Sequence, residues 1–187
     1  MHKFDPKHVD RLLREERVKD IAPERVLREA GLGDGHVFAD VGCGPGFFTL
    51  PAANIVGPNG RIYAIDTQPE MLDALKGRGL PACVTPVECG EDRIPLDDGI
   101  ADLALAAYVL HETRDTVIFL KEVRRIIKKG GALLVIDWKK QQEEHGPPME
   151  ERITEAEAAR LIKAAGFANA AVSSMNQSHY RIVAVKE

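Results

Sequence analysis

A glycine-rich segment, Asp40–Gly46, follows a short apolar run and carries glycines at positions 42, 44 and 46. Glycines at the end of a strand let the backbone approach a ligand closely and present N–H groups to it. Asp66 stands 20 positions after Gly46, at the end of the next apolar run. A carboxylate there can accept hydrogen bonds from both hydroxyls of a ribose. Together the two features predict a nucleoside site, whereas the glycines alone also suit a tight structural turn.

The charges around this segment favour one nucleoside ligand over others. Asp40 stands beside the glycines, and positions 36–60 contain no lysine or arginine. A pyrophosphate would therefore face an uncompensated carboxylate, and the spacing G-x-G-x-G departs from the G-x-G-x-x-G of dinucleotide-binding folds. No Lys-Ser or Lys-Thr pair follows for a triphosphate. Charge and spacing predict S-adenosylmethionine, which carries an ammonium and a sulfonium, rather than NAD or ATP.

The apolar pattern predicts the elements that position these residues. Apolar strands alternate with amphipathic helices, which predicts a doubly wound α/β fold with a mostly parallel sheet. Strands are predicted at 36–41, 61–66, 82–87, 102–107, 132–137, 170–174 and 179–185, the last two as a hairpin. Helices are predicted within the first thirty residues and at 47–55, 69–76, 115–129 and 154–166. Ligands of such sheets bind at the carboxyl ends of the strands, so residues just after each strand are the site candidates.

Composition limits the classes of partner. The chain has 187 residues, 44% of them hydrophobic, and a net charge of −4 without a basic stripe, so nucleic acid is not expected as a partner. No apolar run reaches the roughly 18–20 residues that span a bilayer, and the polar N-terminus lacks the apolar region of a signal peptide. We predict a single cytoplasmic domain, 1–187, with a helical lid at 1–33 and an α/β core at 34–187. A homodimer is left open.

The three cysteines, Cys43, Cys83 and Cys89, are odd in number and lack C-x-x-C spacing. This disfavours a disulfide framework. Cys83 and Cys89 are interpreted as buried or incidental thiols, with a thiol site for a metalloid or for redox chemistry as the alternative. No metal site is predicted.

Tyr108 and His111 follow the predicted strand 102–107, where a second ligand would lie beside the nucleoside. The unperturbed pKa of histidine suits a general base, so His111 is a candidate catalytic residue. Alternatively, His111 and Glu112 form a hydrogen-bonding pair at a helix entry. Tyr108 is a candidate for lining the reaction cavity, or it packs beneath the loop.

Trp138 and Lys139 follow the predicted strand 132–137 and are assigned to a substrate pocket. The indole would form a pocket wall or lie against a cationic group, and core packing is the alternative. The polar loop 141–150 is a candidate lid or an exposed linker. The N-terminal helix, with Phe4, is the other candidate lid.

Three segments between positions 40 and 98 resemble the signature motifs of class I S-adenosylmethionine-dependent methyltransferases. They look most like the branch with the ubiquinone/menaquinone C-methyltransferases and the arsenite methyltransferases. The resemblance rests on Asp40–Gly46, Ala64–Asp66 and Ile94–Asp98 and covers about residues 22–140. It implies a Rossmann-like seven-stranded sheet with an antiparallel C-terminal edge, S-adenosylmethionine as cofactor, S-adenosylhomocysteine as product, and a small-molecule methyl acceptor.

The resemblance also implies roles for individual residues. The glycine segment meets the methionine part of the cofactor, Asp66 the ribose, and Gln68 or Met71 the adenine. Gly90 stands where the branch often has aspartate, so Glu91 or a backbone group is expected to contact the adenine amino group. The residues predicted for cofactor binding are Asp40, Gly42, Cys43, Gly44, Gly46, Asp66, Thr67, Gln68, Met71 and Glu91. The substrate pocket is predicted to contain His111, Trp138 and Lys139, and the candidates for catalysis are Tyr108 and His111.

Methyl transfer is an in-line displacement. The protein must hold the nucleophile and the methyl group about 3–3.5 Å apart in a site that excludes water. A base is needed only where the nucleophile has to lose a proton. Two other functions remain open. The first is an NAD(P)-dependent oxidoreductase, which is disfavoured by Asp40, the glycine spacing and the missing Tyr-x-x-x-Lys pair. The second is a non-catalytic module that binds S-adenosylmethionine.

Overall fold

The computed structural model describes residue 13 and residues 15–187. The helices are α1 (Glu15–Ile21), α2 (Pro23–Glu29), α3 (Thr49–Val56), α4 (Pro69–Lys76), α5 (Thr116–Ile126) and α6 (Glu155–Ala164). The strands are β1 (Val37–Val41), β2 (Arg61–Asp66), β3 (Val84–Glu88), β4 (Ala101–Ala107), β5 (Ile127–Trp138), β6 (Ala168–Ser174) and β7 (His179–Val185). Short 3₁₀ helices occupy Leu110–Glu112 and Met149–Glu151. The predicted lid residue Phe4 lies outside the described residues.

The seven strands form one sheet in the order β3-β2-β1-β4-β5-β7-β6. Strands β1 to β5 pair in parallel, while β7 runs antiparallel to both β5 and β6. The predicted doubly wound fold and C-terminal hairpin are therefore confirmed. The strand order reverses between β1 and β4, and this reversal opens a crevice at the carboxyl ends of the strands.

The central strands are buried between two layers of helices. Along β4, Leu103 and Leu105 pack into one apolar cluster and Ala104 and Ala106 into the other, because successive side chains of a strand point to opposite faces. The first cluster includes side chains of α2, α3 and α4, and the second those of α5 and α6. Burial on both faces explains why these strands are continuous apolar runs in the sequence.

The predicted helix boundary at Lys129 is wrong: α5 ends three residues earlier and β5 begins at Ile127. Ile127 pairs with Ala101 at the start of β4, and Lys128 forms an ion pair with Asp102 at 2.7 Å. These contacts with a distant strand hold the backbone extended. The helical spacing of the sequence does not contain them, so it extends the helix too far.

The side chains of the residues just before two helices cap free backbone N–H groups. The Oγ1 of Thr154 accepts a hydrogen bond from the N–H of Glu157 at 3.3 Å, which confirms the predicted start of α6. The Oδ1 of Asp115 accepts from the N–H groups of Val117 and Ile118, both at 3.0 Å. Caps of this kind typically contribute about 1 kcal/mol each. Within the described part of the chain, no helix has the length and apolar character needed to cross a membrane.

Candidate functional site

A cavity of about 1070 Å³ opens at the carboxyl ends of β1, β2, β4 and β5. Most residues predicted for the site lie on its wall: Asp40, Gly42, Cys43, Gly44, Asp66, Thr67, Gln68, Met71, Glu91, Tyr108, His111 and Trp138. Two predicted residues, Gly46 and Lys139, are not among the described residues that line it. The fold therefore brings together groups that are up to 98 positions apart in the chain.

The glycines of the segment between β1 and α3 adopt backbone angles that side chains rarely tolerate. Gly42 and Gly46 have φ of +76° and +88°. A Cβ on Gly42 would collide with Val109, and one on Gly46 would collide with Leu75. Gly46 therefore packs against α4 instead of forming cavity wall. Because Gly42 has no side chain, its backbone stays accessible to a ligand where the cavity begins.

The carboxylate of Asp66 connects the glycine segment to the start of α4. Its Oδ2 accepts a hydrogen bond from the N–H of Gly44 at 2.8 Å, and its Oδ1 accepts from the N–H of Gln68 at 2.9 Å. A carboxylate offers about four lone-pair positions, so these bonds are compatible with further bonds to a ribose. Sequence reasoning missed the structural role of Asp66, because spacing does not reveal where backbone N–H groups will point.

Asp40 lies under the glycine segment with 2% of its surface exposed. Burial raises the pKa of Asp40 to about 7 and the charge of Asp66 adds to the rise, while the hydrogen bond from the Thr49 hydroxyl, at 2.6 Å, opposes it. A positively charged ligand beside Asp40 would favour its ionised form. An anionic ligand would have the opposite effect.

Three rings form a wall on the other side of the cavity. The ring centroids of Trp138 and His179 are 4.3 Å apart, and that of Tyr108 lies 5.9 Å from Trp138 and 5.3 Å from His179. Tyr108 has φ of +61°, a left-handed conformation that costs a bulky residue on the order of 1–3 kcal/mol. Its N–H donates to the carbonyl oxygen of Ile136 at 2.7 Å, which holds this turn against β5.

His179 is a wall residue that sequence reasoning missed. It lies opposite Trp138 in the antiparallel pairing of β7 with β5, and a hairpin signal alone does not predict which strand the hairpin joins. Burial lowers the pKa of His179 to about 4, so the ring is neutral near pH 7. Its Nδ1 lies 3.0 Å from the Oδ1 of Asn176.

Helix α1 covers part of the cavity. The Arg17 guanidinium lies 4.4 Å from the ring centroid of Phe47 and 4.8 Å from that of Tyr108, and both Arg17 and Asp20 line the cavity. A cation over two aromatic faces is attracted by the ring quadrupoles. This contact joins the N-terminal helical region to both sides of the cavity.

His111 pairs with Asp137, which sequence reasoning did not select. The Nδ1 of His111 is 2.8 Å from the Oδ1 of Asp137, and the side chains are 5% and 1% exposed. The predicted pair with Glu112 is looser, with 3.9 Å between Nε2 and Oε1. Burial works to lower the pKa of His111, but the hydrogen bond and charge of Asp137, with the charges of Glu112 and Glu151, raise it above its ordinary value.

The polar loop after β5 is organised around one buried side chain, Arg152, which is 2% exposed. Its guanidinium lies 5.0 Å from the Trp138 ring centroid and pairs with Glu143 at 2.8 Å. It also donates to the carbonyl oxygens of Lys139, Gln141, His145 and Pro147. Residues 144–147 of this loop line the cavity, so the loop contributes wall and is more than an exposed linker.

Lys139 lies outside the substrate pocket to which its sequence position assigned it. Its Nζ donates to the Oγ of Ser174 at 2.8 Å and to the carbonyl oxygen of Asn176 at 2.7 Å. These bonds connect the end of β5 to the β6–β7 hairpin. Trp138, the preceding residue, points the other way because successive side chains of a strand alternate.

The order of elements and the cavity at their carboxyl ends agree with a match to known proteins. Residues 39–135, just over half of the chain, match the family described as "Methyltransferase domain". The chain belongs to this methyltransferase family. The match covers the glycine segment, Asp66 and most of the core, and it confirms the predicted family.

Individual relatives of this methyltransferase agree with the family match. The ubiquinone/menaquinone biosynthesis C-methyltransferase UbiE of Cupriavidus taiwanensis is 32% identical over 119 residues, which are 61% of this chain and 48% of that protein. The demethylmenaquinone methyltransferase of Staphylococcus aureus is 28% identical over 115 residues, again 61% and 48%. The chain thus spans about half the length of these relatives.

A solved structure matches this methyltransferase over nearly its full length. The crystal structure of a SAM dependent methyltransferase from Aquifex aeolicus superposes with a TM-score of 0.93 and 34% identity, covering 99% of this chain and 100% of that one. The Rossmann-like fold predicted from the sequence is confirmed.

Proposed function

We propose that this chain binds S-adenosylmethionine and transfers its methyl group to a small-molecule acceptor. The observation that carries the proposal is the continuous cavity, because the glycine segment and Asp66 share it with Tyr108, His111 and Trp138. Cofactor and acceptor would therefore meet in one space. A module that only binds the cofactor would have no need of the part of the cavity that Tyr108, His111 and Trp138 line.

The residues in the part of the cavity around the glycine segment and Asp66 fit this cofactor. The backbone of Gly42–Gly44 would hold the methionine part, Asp66 the ribose hydroxyls, and Gln68 and Met71 the adenine. Buried carboxyl groups at Asp40 and Asp66 suit a ligand with an ammonium and a sulfonium, and they oppose a pyrophosphate. This charge argument favours S-adenosylmethionine over NAD(P).

S-adenosylmethionine, when bound, supplies a methyl group on a positively charged sulfur. The protein's own task is then to orient an acceptor and to exclude water. The ring wall and the loop residues 144–147 would confine the acceptor, with Arg17 of α1 closing the cavity above Tyr108. His111, which lines the same cavity, is the candidate to accept a proton from the acceptor.

The names of the curated relatives refer to ubiquinone and menaquinone biosynthesis, which supports a small organic acceptor in this chain too. The aromatic wall suits such a molecule. A cytoplasmic location and a homodimer stay predictions from the sequence, to be checked by cell fractionation and by light scattering.

Isothermal titration with S-adenosylmethionine, S-adenosylhomocysteine and NAD tests the cofactor. We expect binding of the first two and none of NAD; tight NAD binding without a signal from S-adenosylmethionine would refute the proposal. A methyl-transfer screen over quinols, thiols, amines and arsenite then separates an enzyme from a non-catalytic binding module. Formation of S-adenosylhomocysteine that depends on an added acceptor is the expected result.

A further inference from the structure

The carboxylate of Asp137 lies behind the cavity wall, at the end of β5. It is 1% exposed, and its Oδ1 accepts hydrogen bonds from the backbone N–H of Trp138 and from His111, both at 2.8 Å. Its Oδ2 is buried and has no hydrogen-bonding partner among residues 15–187. A buried carboxylate with half of its acceptors unused is costly, and a positive charge on its neighbour would offset that cost.

The pairing determines which nitrogen of His111 carries hydrogen. A carboxylate without a proton only accepts hydrogen bonds, so beside it the neutral ring of His111 would carry its hydrogen on Nδ1. The lone pair is then on Nε2. His111 forms part of the cavity wall, and its Nε2 lies 3.9 Å from the Oε1 of Glu112, which also lines the cavity.

We propose that Asp137 positions His111 as the general base for an acceptor that is methylated on a hydroxyl oxygen. This inference rests on the proposed function. Asp137 acts as a positioning residue, since it lies behind the wall and acts on the acceptor only through the imidazole.

The proposed step moves one proton and one methyl group. The acceptor O–H bond breaks and its proton moves to Nε2 of His111, while the oxygen forms a bond to the methyl carbon. The electron pair of the broken carbon–sulfur bond stays on sulfur, which becomes a neutral thioether. The imidazolium that results lies against the carboxylate of Asp137, so the charge created in the step is paired.

The need for a base points to a hydroxyl in preference to an amine or a thiol. A neutral amine attacks through its own lone pair before it loses a proton, and a thiol ionises in water near pH 8.5 without a buried base. A hydroxyl is a weak nucleophile until a neighbouring base takes its proton. A buried, oriented imidazole is suited to that task.

The charges facing His111 strengthen the base. Asp137 reaches it from β5, Glu112 adjoins it, and Glu151 approaches from the 3₁₀ helix before α6; all three work to raise the pKa of His111, against the effect of burial. Since only the neutral ring accepts a proton, the rate should rise with pH through the pKa of His111. Removing the charge of Asp137 should move that rise to lower pH.

The first test is an NMR titration of ¹⁵N-histidine-labelled protein without any ligand. We expect His111 to titrate above its ordinary pKa and, when neutral, to carry hydrogen on Nδ1. Asp137→Asn should lower the pKa of His111 by at least about 1, because the amide carries no negative charge. Asp102→Asn is the matched control, because Asp102 accepts from the N–H of Val37 and from Lys128 at the amino end of β4, away from the cavity.

A neutral His111 with hydrogen on Nε2 in the wild type would overturn the inference. So would an Asp137→Asn protein with an unchanged His111 titration. The wild-type measurement decides the pairing even where the variant fails to fold.

The second test compares phenols with the corresponding anilines as acceptors over pH 5–9. We expect methylation on oxygen, with kcat of Asp137→Asn reduced about 10²- to 10⁴-fold. The rise of kcat with pH should lie at lower pH in this variant, and its Kd for S-adenosylmethionine should be unchanged. Methylation of anilines but not phenols would overturn the hydroxyl assignment, as would failure to methylate any phenol by a protein that binds S-adenosylmethionine. Wild type that does not bind S-adenosylmethionine would contradict the proposed function instead, and the NMR result would still decide the pairing.

Discussion

The two halves of the cavity are built in different ways. The half proposed for the cofactor consists of backbone and side chains at the carboxyl ends of neighbouring strands: 40–45 at β1, 66–71 at β2 and Glu91 after β3. The half proposed for the acceptor consists of side chains from α1, from the ends of β4, β5 and β7, and from the loop after β5. Local sequence therefore determines the first half, whereas long-range packing assembles the second. The comparison predicts that substitutions in one half should leave the other half working.

The largest effect is expected from His111→Ala. It removes the proposed base while leaving the glycine segment intact, so kcat should fall about 10²- to 10⁴-fold. The Kd for S-adenosylmethionine by titration calorimetry should stay within about twofold of wild type. A large loss of cofactor affinity would show that the two halves are coupled, and full turnover would dispose of the base.

Arg152→Met should disrupt the acceptor half through the loop that it organises. The substitution leaves Glu143 without its buried partner, which should lower the free energy of unfolding by roughly 3 kcal/mol. The KM for the acceptor should rise more than the Kd for S-adenosylmethionine. The control is Arg160→Met, whose ion pair with Glu157 is exposed and should contribute little to stability. Equal destabilisation by both variants in urea would contradict this role of the loop.

Asp66→Ala addresses the cofactor half. Loss of charged hydrogen bonds should weaken binding of S-adenosylmethionine by about 1–3 kcal/mol. Part of that loss would come from the glycine segment, since Asp66 also accepts from the N–H of Gly44. Asp73→Ala, on the exposed side of α4, is the control and should bind normally. Unchanged affinity in the Asp66 variant would refute its role.

The smallest effect concerns pH. The pKa of Asp40 is raised to about 7, so a cationic ligand should bind more tightly as pH rises through 7 and Asp40 ionises. We expect about tenfold tighter binding of S-adenosylmethionine between pH 6 and 8, and a flat profile in Asp40→Asn. The same raised pKa means that Asp40 favours the folded state at low pH and that this contribution is lost as pH rises from about 4 to 7. Binding of S-adenosylmethionine by the wild type that does not change with pH would contradict a role for Asp40 in the cofactor half.

The difference between the halves also explains what the sequence could predict. The strand–glycine–helix succession and Asp66 are local patterns, and Asp40, Gly42 and Gly44, which they selected, line the cavity. His179 and Arg17 reach the wall through the pairing of β7 with β5 and through the packing of α1, which no local pattern contains. The alternation of side chains along β5 separated Trp138 from Lys139, although adjacency in the sequence suggested a shared pocket.

Trp138 is the chain's single tryptophan, and it lies in the acceptor half. The tryptophan fluorescence of the whole chain therefore comes from one indole, with the His179 ring centroid at 4.3 Å and the Arg152 guanidinium at 5.0 Å. His179, with its pKa lowered to about 4, keeps the same charge from pH 6 to 8, so titrating that ring does not alter the emission there. If the acceptor binds where we propose, the emission of Trp138 should change on its arrival, without any added label.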